Sequence, residues 1–188
     1  MTTYAIDPVR LRENQVRLGL WMFLSTATML FAAFASAYVV RRSGSDWRPI
    51  ALPPVLWINT AVLAASSLAL EAASTLGGRR RWSAALAAFA AALACGLGFL
   101  AGQVAAWRTL VASGIELPSG PHGAFFFVLT GAHGVHIVAA LVVLAWGFTR
   151  TWARPVDVRA WAVQMELCRT FWHFLGVVWL LLFALVMR

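Results

Sequence analysis

The sequence predicts an all-α polytopic membrane protein, a bundle of five transmembrane helices. Three observations lead there. Nearly all of the 188 residues fall in five long apolar runs, at about 17–40, 56–76, 83–107, 123–148 and 164–187. The chain is 61% hydrophobic, against about 45–50% in soluble domains. Each run is continuously apolar rather than alternating, and far longer than a barrel strand. A bilayer core of about 30 Å needs roughly 20 apolar residues at 1.5 Å rise each, so every run is long enough to span. Only helices and closed barrels satisfy their backbone groups in lipid, and the pattern selects helices. The reading is a polar segment 1–16 followed by one transmembrane domain, 17–188, with no soluble module.

The elements follow in order. Residues 1–16 are polar, with Asp7, Pro8 and Glu13, and the first run is too long for the apolar stretch of a signal peptide. It therefore reads as a retained first helix, Arg17–Val40. The loop Arg41–Pro54 carries Ser43-Gly44-Ser45-Asp46 and ends in Pro53-Pro54, which sets up the second helix, Leu56–Leu76. Gly77-Gly78 and three arginines are read as closing it in a tight turn. Helix three, Ser83–Trp107, is rich in alanine, and small side chains permit close approach, so it is expected to be enclosed by neighbours. The loop Arg108–His122 contains Gly114, Pro118, Gly120 and Pro121, read as excluding helix there. Helix four is Gly123–Phe148. Thr151–Val163, with Pro155, is read as lying at the membrane surface before helix five, Gln164–Met187. Trp47, Trp57, Trp82, Trp107, Trp146 and Trp152 stand near run ends, as an interfacial aromatic belt would place them.

The formal charge is +8, and all fifteen cationic side chains are arginine. They are scattered through loops with no basic stripe or RNA-binding motif, so nucleic acid is not a predicted partner. Arg10, Arg12, Arg17, Arg79, Arg80, Arg81, Arg150, Arg154 and Arg159 fall on one side of the membrane. Arg41, Arg42, Arg48, Arg108 and Arg188 fall on the other. Because cytoplasmic loops retain arginine, the N-terminus is predicted cytoplasmic and the C-terminus periplasmic.

Ionisable groups within spans are costly and are functional candidates by default. Helix four carries His133 and His136, three residues apart and on one face. Helix five carries Glu166, Arg169 and His173; the first two are spaced to pair, and Glu166 shares a face with His173. Helix two carries Asn59 and Glu71, and helix three carries Gln103. A haem held between His133 and His173 is compatible with their depth. The inventory speaks against it, since no second histidine pair exists, and the carboxylates and Glu-x-x-His repeats of a helical di-iron site are missing. Interhelical hydrogen bonding by neutral imidazoles is the favoured reading. Cys95 and Cys168 make neither a zinc site nor a haem-attachment motif and read as small buried residues. No phosphate-binding loop or nucleophile–base arrangement specifies a reaction.

The segments carry a further signal. Thr130-Gly131-Ala132-His133-Gly134-Val135-His136 resembles the T-G-x-H-G-x-H motif of subunit III of haem-copper terminal oxidases. Glu166, then Trp172-His173-Phe174 and Val177-Val178-Trp179-Leu180, resembles that family's last helix. Met22-Phe23-Leu24, Met29-Leu30-Phe31 and Ala37-Tyr38 resemble the helix that opens its common core. Asn59-Thr60 after Pro53-Pro54, and Gly102-Gln103 with Trp107, fit the next two helices. The match runs in order over all five spans and is similar to the five-helix form of bacterial cytochrome c and quinol oxidases. Two departures stand out. Many members carry a glutamate in the first core helix where this chain has Thr26 or Ala27, and many carry an aspartate where it has Gly176.

The resemblance implies a non-redox subunit in a bacterial inner membrane, with haems and copper in partner subunits and none in this chain. It implies packing mainly on subunit I, with subunit II and small subunits as further partners. It also implies bound phospholipid between helices and a role in sustaining proton uptake and lasting activity. His133, His136, Glu166, Arg169, His173, Asn59 and Gln103 are the expected lipid-binding or interhelical polar cluster. Arg79, Arg80 and Arg81 are candidates for lipid headgroups, with simple topogenic charge as the plainer alternative. Other readings are an accessory protein of nitric oxide reductase or another respiratory complex, and a small proton-coupled transporter. The transporter is opposed by the absence of inverted repeats.

Overall fold

The computed structural model describes residues 8–47, 52–116, 120–153 and 157–187. Among these there are five helices and no strand: α1 (Pro8–Arg42), α2 (Val55–Gly78), α3 (Trp82–Ala112), α4 (Pro121–Ala153) and α5 (Val158–Met187). All five are long and apolar enough to cross a membrane. Arg48, Pro118, Arg154, Pro155 and Arg188 of the sequence reading lie outside the described residues.

Each helix contains its apolar run and continues beyond it, because hydropathy marks the bilayer while helix ends are set by capping. α1 starts at Pro8, so the polar residues 8–16 continue the first helix; proline suits a first helical position. α3 passes Trp107 and stops where Gly114 takes a φ of 78°. There Ile115 N–H donates to Leu110 O and Gly114 N–H to Val111 O, and Ile115 packs on the same apolar cluster as Leu110, a Schellman ending. α5 starts at Val158, earlier than Gln164, because the Asp157 carboxylate accepts from the Arg159 and Ala160 N–H groups at 3.2 and 3.4 Å as an N-cap. The segments 151–153 and 158–163 belong to the ends of α4 and α5.

The turn between α2 and α3 also departs from the sequence reading. Gly77 and Gly78 remain helical, and the left-handed residue is Arg80, at φ 59°. Its N–H donates to Gly77 O while that of Arg81 donates to Leu76 O, the pattern a glycine usually serves. Gly77 answers to packing instead: a Cβ there would stand 2.1 Å from the Trp161 Nε1.

α2, α3, α4 and α5 form a closed ring of contacts, each packing on the next, with α2 returning to α5. α1 lies outside this ring, against α5 and α4. Its buried stripe is Leu24, Ala27, Phe31 and Tyr38, at the helical spacing of one face. α3 is not enclosed. Its small residues Ala85, Ala92 and Gly96 are buried and α2 packs closely along it, but Leu97, Val104 and Val111 are exposed. The core is aromatic, with Trp172, Trp179, Phe89, Phe99 and Phe126 fully buried. We call the end where α1 begins, and where α2 turns into α3, proximal, and the opposite end distal. At the distal end Arg41 grips Asp46 through both carboxylate oxygens, and that guanidinium holds the Asp46 carboxyl below its usual range.

Candidate functional site: polar groups among the helices

The charged residues of α5 reach out to two neighbours rather than to each other. Arg169 Nε donates to Glu71 Oε1 of α2 at 2.7 Å, and its Nη1 to Ser74 Oγ at 3.1 Å. His173 Nε2 stands 2.7 Å from the same Glu71 oxygen. A carboxylate already accepting from a guanidinium has only acceptor capacity, so this imidazole nitrogen carries the proton and donates. On the other flank Glu166 accepts from Arg17 of α1, at 3.0 Å to Nε and 2.7 Å to Nη2. Nearer the proximal end Arg159 of α5 donates to Glu13 of α1 at 3.0 and 3.1 Å.

These contacts correct the expected pairing. Glu166 was expected to join Arg169 and His173, but its partner is Arg17. Glu71, noted in the sequence only as an embedded acid, is the centre of the Arg169–His173 cluster. Spacing within α5 places Glu166, Arg169 and His173 on one strip of the helix. Which way each side chain leans is decided by the helix beside it, α1 or α2.

The uncharged polar residues tie helices together. Asn59 Nδ2 donates to Phe99 O of α3 at 2.9 Å, and Ser66 Oγ to Ala92 O at 2.8 Å. Trp107 Nε1 donates to Thr130 Oγ1 and Trp179 Nε1 to Thr60 Oγ1. Gln164 Nε2 donates to Gly147 O and Thr151 Oγ1 across α4 and α5. Sequence reading missed Ser66 and Gln164, which sit among apolar neighbours and carry no charge to mark them.

The two motif histidines have different surroundings. His136 Nδ1 donates to Ala132 O at 2.7 Å, and its ring lies 5.2 and 5.9 Å from those of Phe31 and Phe23. His133 is buried among Trp179, Phe31 and Phe99, with ring centroids 5.6, 6.2 and 6.2 Å away. Among the described residues neither His133 nitrogen has a hydrogen-bond partner, and the same holds for the buried Gln103 amide. The structure thus does not join Asn59, Gln103 and His133 to the α5 charges in one cluster. Among the described residues no group of three or more His, Cys, Asp or Glu converges as a metal would require. Cys168 is buried and Cys95 half-buried, both as free thiols. Arg79, Arg80 and Arg81 are exposed at the proximal turn.

Comparison with known proteins bears on the whole chain. The sequence profile described as "Cytochrome c oxidase subunit III" matches residues 3–188. The chain belongs to that family. Similar relatives of this subunit III chain include a "Probable cytochrome c oxidase subunit 3" of Mycobacterium bovis, 29% identical over 93% of this chain and 88% of the relative. A "Probable cytochrome c oxidase subunit 3" of Nocardia farcinica is 31% identical over the same shares. The "Cytochrome bo(3) ubiquinol oxidase subunit 3" of Pseudomonas aeruginosa is 27% identical over 89% of this chain and 82% of the relative. As a subunit III family member the chain is a multi-pass membrane protein, and membership implies association with other oxidase subunits.

The family departures have a structural setting in this subunit III chain. Ala27 is buried in the α1 stripe, while Thr26 turns its hydroxyl back to Met22 O. Gly176 lies on α5 one turn from His173, and a Cβ there would meet nothing within 4 Å.

Proposed function

We propose that this chain is the non-redox subunit III of a proton-pumping haem-copper terminal oxidase, which reduces oxygen to water with electrons from cytochrome c or a quinol. The family match from residue 3 to residue 188 carries the reading. The side-chain chemistry supports a structural part within it: Asn59, His136, Glu166, Arg169 and His173 are each engaged in hydrogen bonds that tie or brace helices. On this reading the haems and copper belong to partner subunits, and subunit I is the main contact, with subunit II and small subunits beyond. The chain lies in a bacterial inner membrane with its proximal, arginine-rich end cytoplasmic, in accord with the positive-inside bias. Arg79, Arg80 and Arg81 would hold anionic phospholipid headgroups there, each worth roughly 1 kcal/mol near the surface. The chain's contribution is a helical wall with its lipids, which keeps proton uptake and the core subunit intact.

The test is purification of the tagged chain in mild detergent, with mass spectrometry of its partners and an absorption spectrum. The expected outcome is co-migration with haem-bearing subunits. The chain stripped of partners should give no stoichiometric Soret band. Co-migration with nitric oxide reductase would favour the accessory-protein reading. Isolation without any haem-bearing partner would favour a transporter.

A further inference from the structure

α1 and α2 both pack on α5, yet their backbones do not approach each other among the described residues. A strip of α5 therefore floors an open cleft between them. At 100° per residue, Glu166, Arg169, His173, Gly176 and Leu180 fall on one side of that helix. The distal part of the cleft is a groove of about 480 Å³ against α2, lined by Thr60, Ala64, Ser67, Leu68, His173 and Gly176 among others. Its proximal part holds the ion pairs.

Those ions are not shielded by the chain itself. The side chains of Glu71 and Arg169 are each 38% exposed, and that of His173 is 39% exposed. Within the apolar runs that mark the bilayer, Glu71 stands five residues before Leu76 and Arg169 five after Gln164, each on the order of 7 Å inside the hydrocarbon edge. Elsewhere the outward faces of the spans present apolar residues, such as Leu97 and Val104 on α3, Val135, Val138 and Val142 on α4, and Met22 and Met29 on α1, while the exposed hydroxyls of Ser25 and Thr26 are satisfied by their own helix. Charged groups at such depth face protein or water rather than lipid tails. Lipid is a poor cover for them. Acyl chains offer no hydrogen bond, and Arg169 is already neutralised by Glu71 and Arg17 by Glu166, so no net charge remains to draw in a phosphate. A helix can supply what lipid lacks, and Gly176, with no side chain, beside the small Ala64 and Ser67 lets one approach closely.

We propose that this cleft receives a transmembrane helix of the haem-bearing partner subunit. That helix sets large apolar side chains into the groove beside Gly176 and offers a hydrogen-bonding side chain at the depth of His173. The inference rests on the oxidase reading and adds to it the face by which the chain docks.

The test uses the assembled complex in its native membrane, with a photoreactive benzoylphenylalanine placed at the half-buried groove residue Ser67, or at the exposed Val138 on α4 as a comparator outside the cleft. Adducts from position 67 to the haem-bearing subunit, identified by mass spectrometry, with none from position 138, are expected. Adducts to lipid alone from position 67, or to that subunit from position 138 only, would overturn the proposal while leaving the oxidase reading intact. Absence of any haem-bearing polypeptide from the purified material would defeat both, and is recognised separately. A second arm fills the groove with Gly176→Leu, a change on the cleft side that leaves the chain's own packing free. Recovery of the haem-bearing subunit should fall about tenfold, or 1.4 kcal/mol in association, with the chain still inserted at normal abundance. Val138→Leu should leave recovery unchanged. Undiminished recovery with Gly176→Leu would also overturn the proposal.

Discussion

Arg17 and Glu166, 149 positions apart in the chain, meet as a two-point ion pair at 3.0 and 2.7 Å. Together with Glu13 and Arg159 they fasten α1, the helix outside the ring, to α5. α1 presents acid then base toward the distal end, and α5 presents base then acid. Only one register matches opposite signs at both levels, and a slip that set Arg17 beside Arg159 would oppose like charges. The ion pairs therefore specify alignment, while a half-exposed pair such as Arg17–Glu166 adds little stability of its own.

The register argument predicts a reciprocal rescue. Glu166→Arg alone should loosen the proximal half of α1, raising its hydrogen exchange and its cleavage by protease. Adding Arg17→Glu should restore protection toward that of the parent. If the double reversal is no better protected than the single one, the pair does not set the register.

Span number and order were legible in the sequence because a run such as 83–107 can satisfy its backbone in lipid only as a helix. Helix ends were not, since Pro8–Gln15 and Arg108–Ala112 are polar or mixed and hydropathy says nothing about capping. Partner choice was least legible. Glu166 and Arg169 are spaced to pair, but they lean to different neighbours, and Glu71 lies 98 positions from Arg169. A signal existed for that cluster: a lone acid in one span and a lone base in another, both too costly to stand unpaired. Nothing comparable marked Ser66 or Gln164, whose partners are backbone carbonyls and hydroxyls of adjacent helices.

The Glu71–Arg169 pair should show the asymmetry of partly shielded ions, where losing one partner is worse than losing both. Arg169→Leu leaves the Glu71 carboxylate with only His173 and should destabilise the chain by about 1–2 kcal/mol. Glu71→Leu added to it should recover part of that loss. The thermal unfolding midpoint in mild detergent, measured for the two single variants and the double one, gives the coupling. Strict additivity would mean that the two residues do not act as a pair.

Two glycines should respond in opposite ways to alanine. A Cβ at Gly102 would stand 2.0 Å from Asn59 Oδ1 and displace the amide that donates to Phe99 O. Overpacking of this kind costs about 1–3 kcal/mol, so Gly102→Ala should lower the unfolding midpoint. Gly134 lies inside α4 with nothing within 4 Å of a Cβ, and Gly134→Ala should be neutral or stabilising by up to about 1 kcal/mol. Equal effects at the two positions would contradict the close approach of α2 to α3.

Removal of this subunit should leave oxygen reduction nearly intact at first and then make it fail over successive turnovers. On the proposed reading the electron path runs through partner subunits, so the initial rate has no reason to fall. What is lost is a wall of five helices together with whatever Arg79, Arg80 and Arg81 hold at the proximal surface. Without that wall the partner's membrane face and its proton supply become exposed to slow, cumulative damage. Oxygen consumption followed over time, by the complex with and without the chain, separates the cases. A normal initial rate with a shortened lifetime is expected, and the Arg79→Gln, Arg80→Gln, Arg81→Gln triple variant should shorten it less than full removal does. Immediate and complete loss of activity at unchanged haem content would instead give this chain a direct part in the reaction.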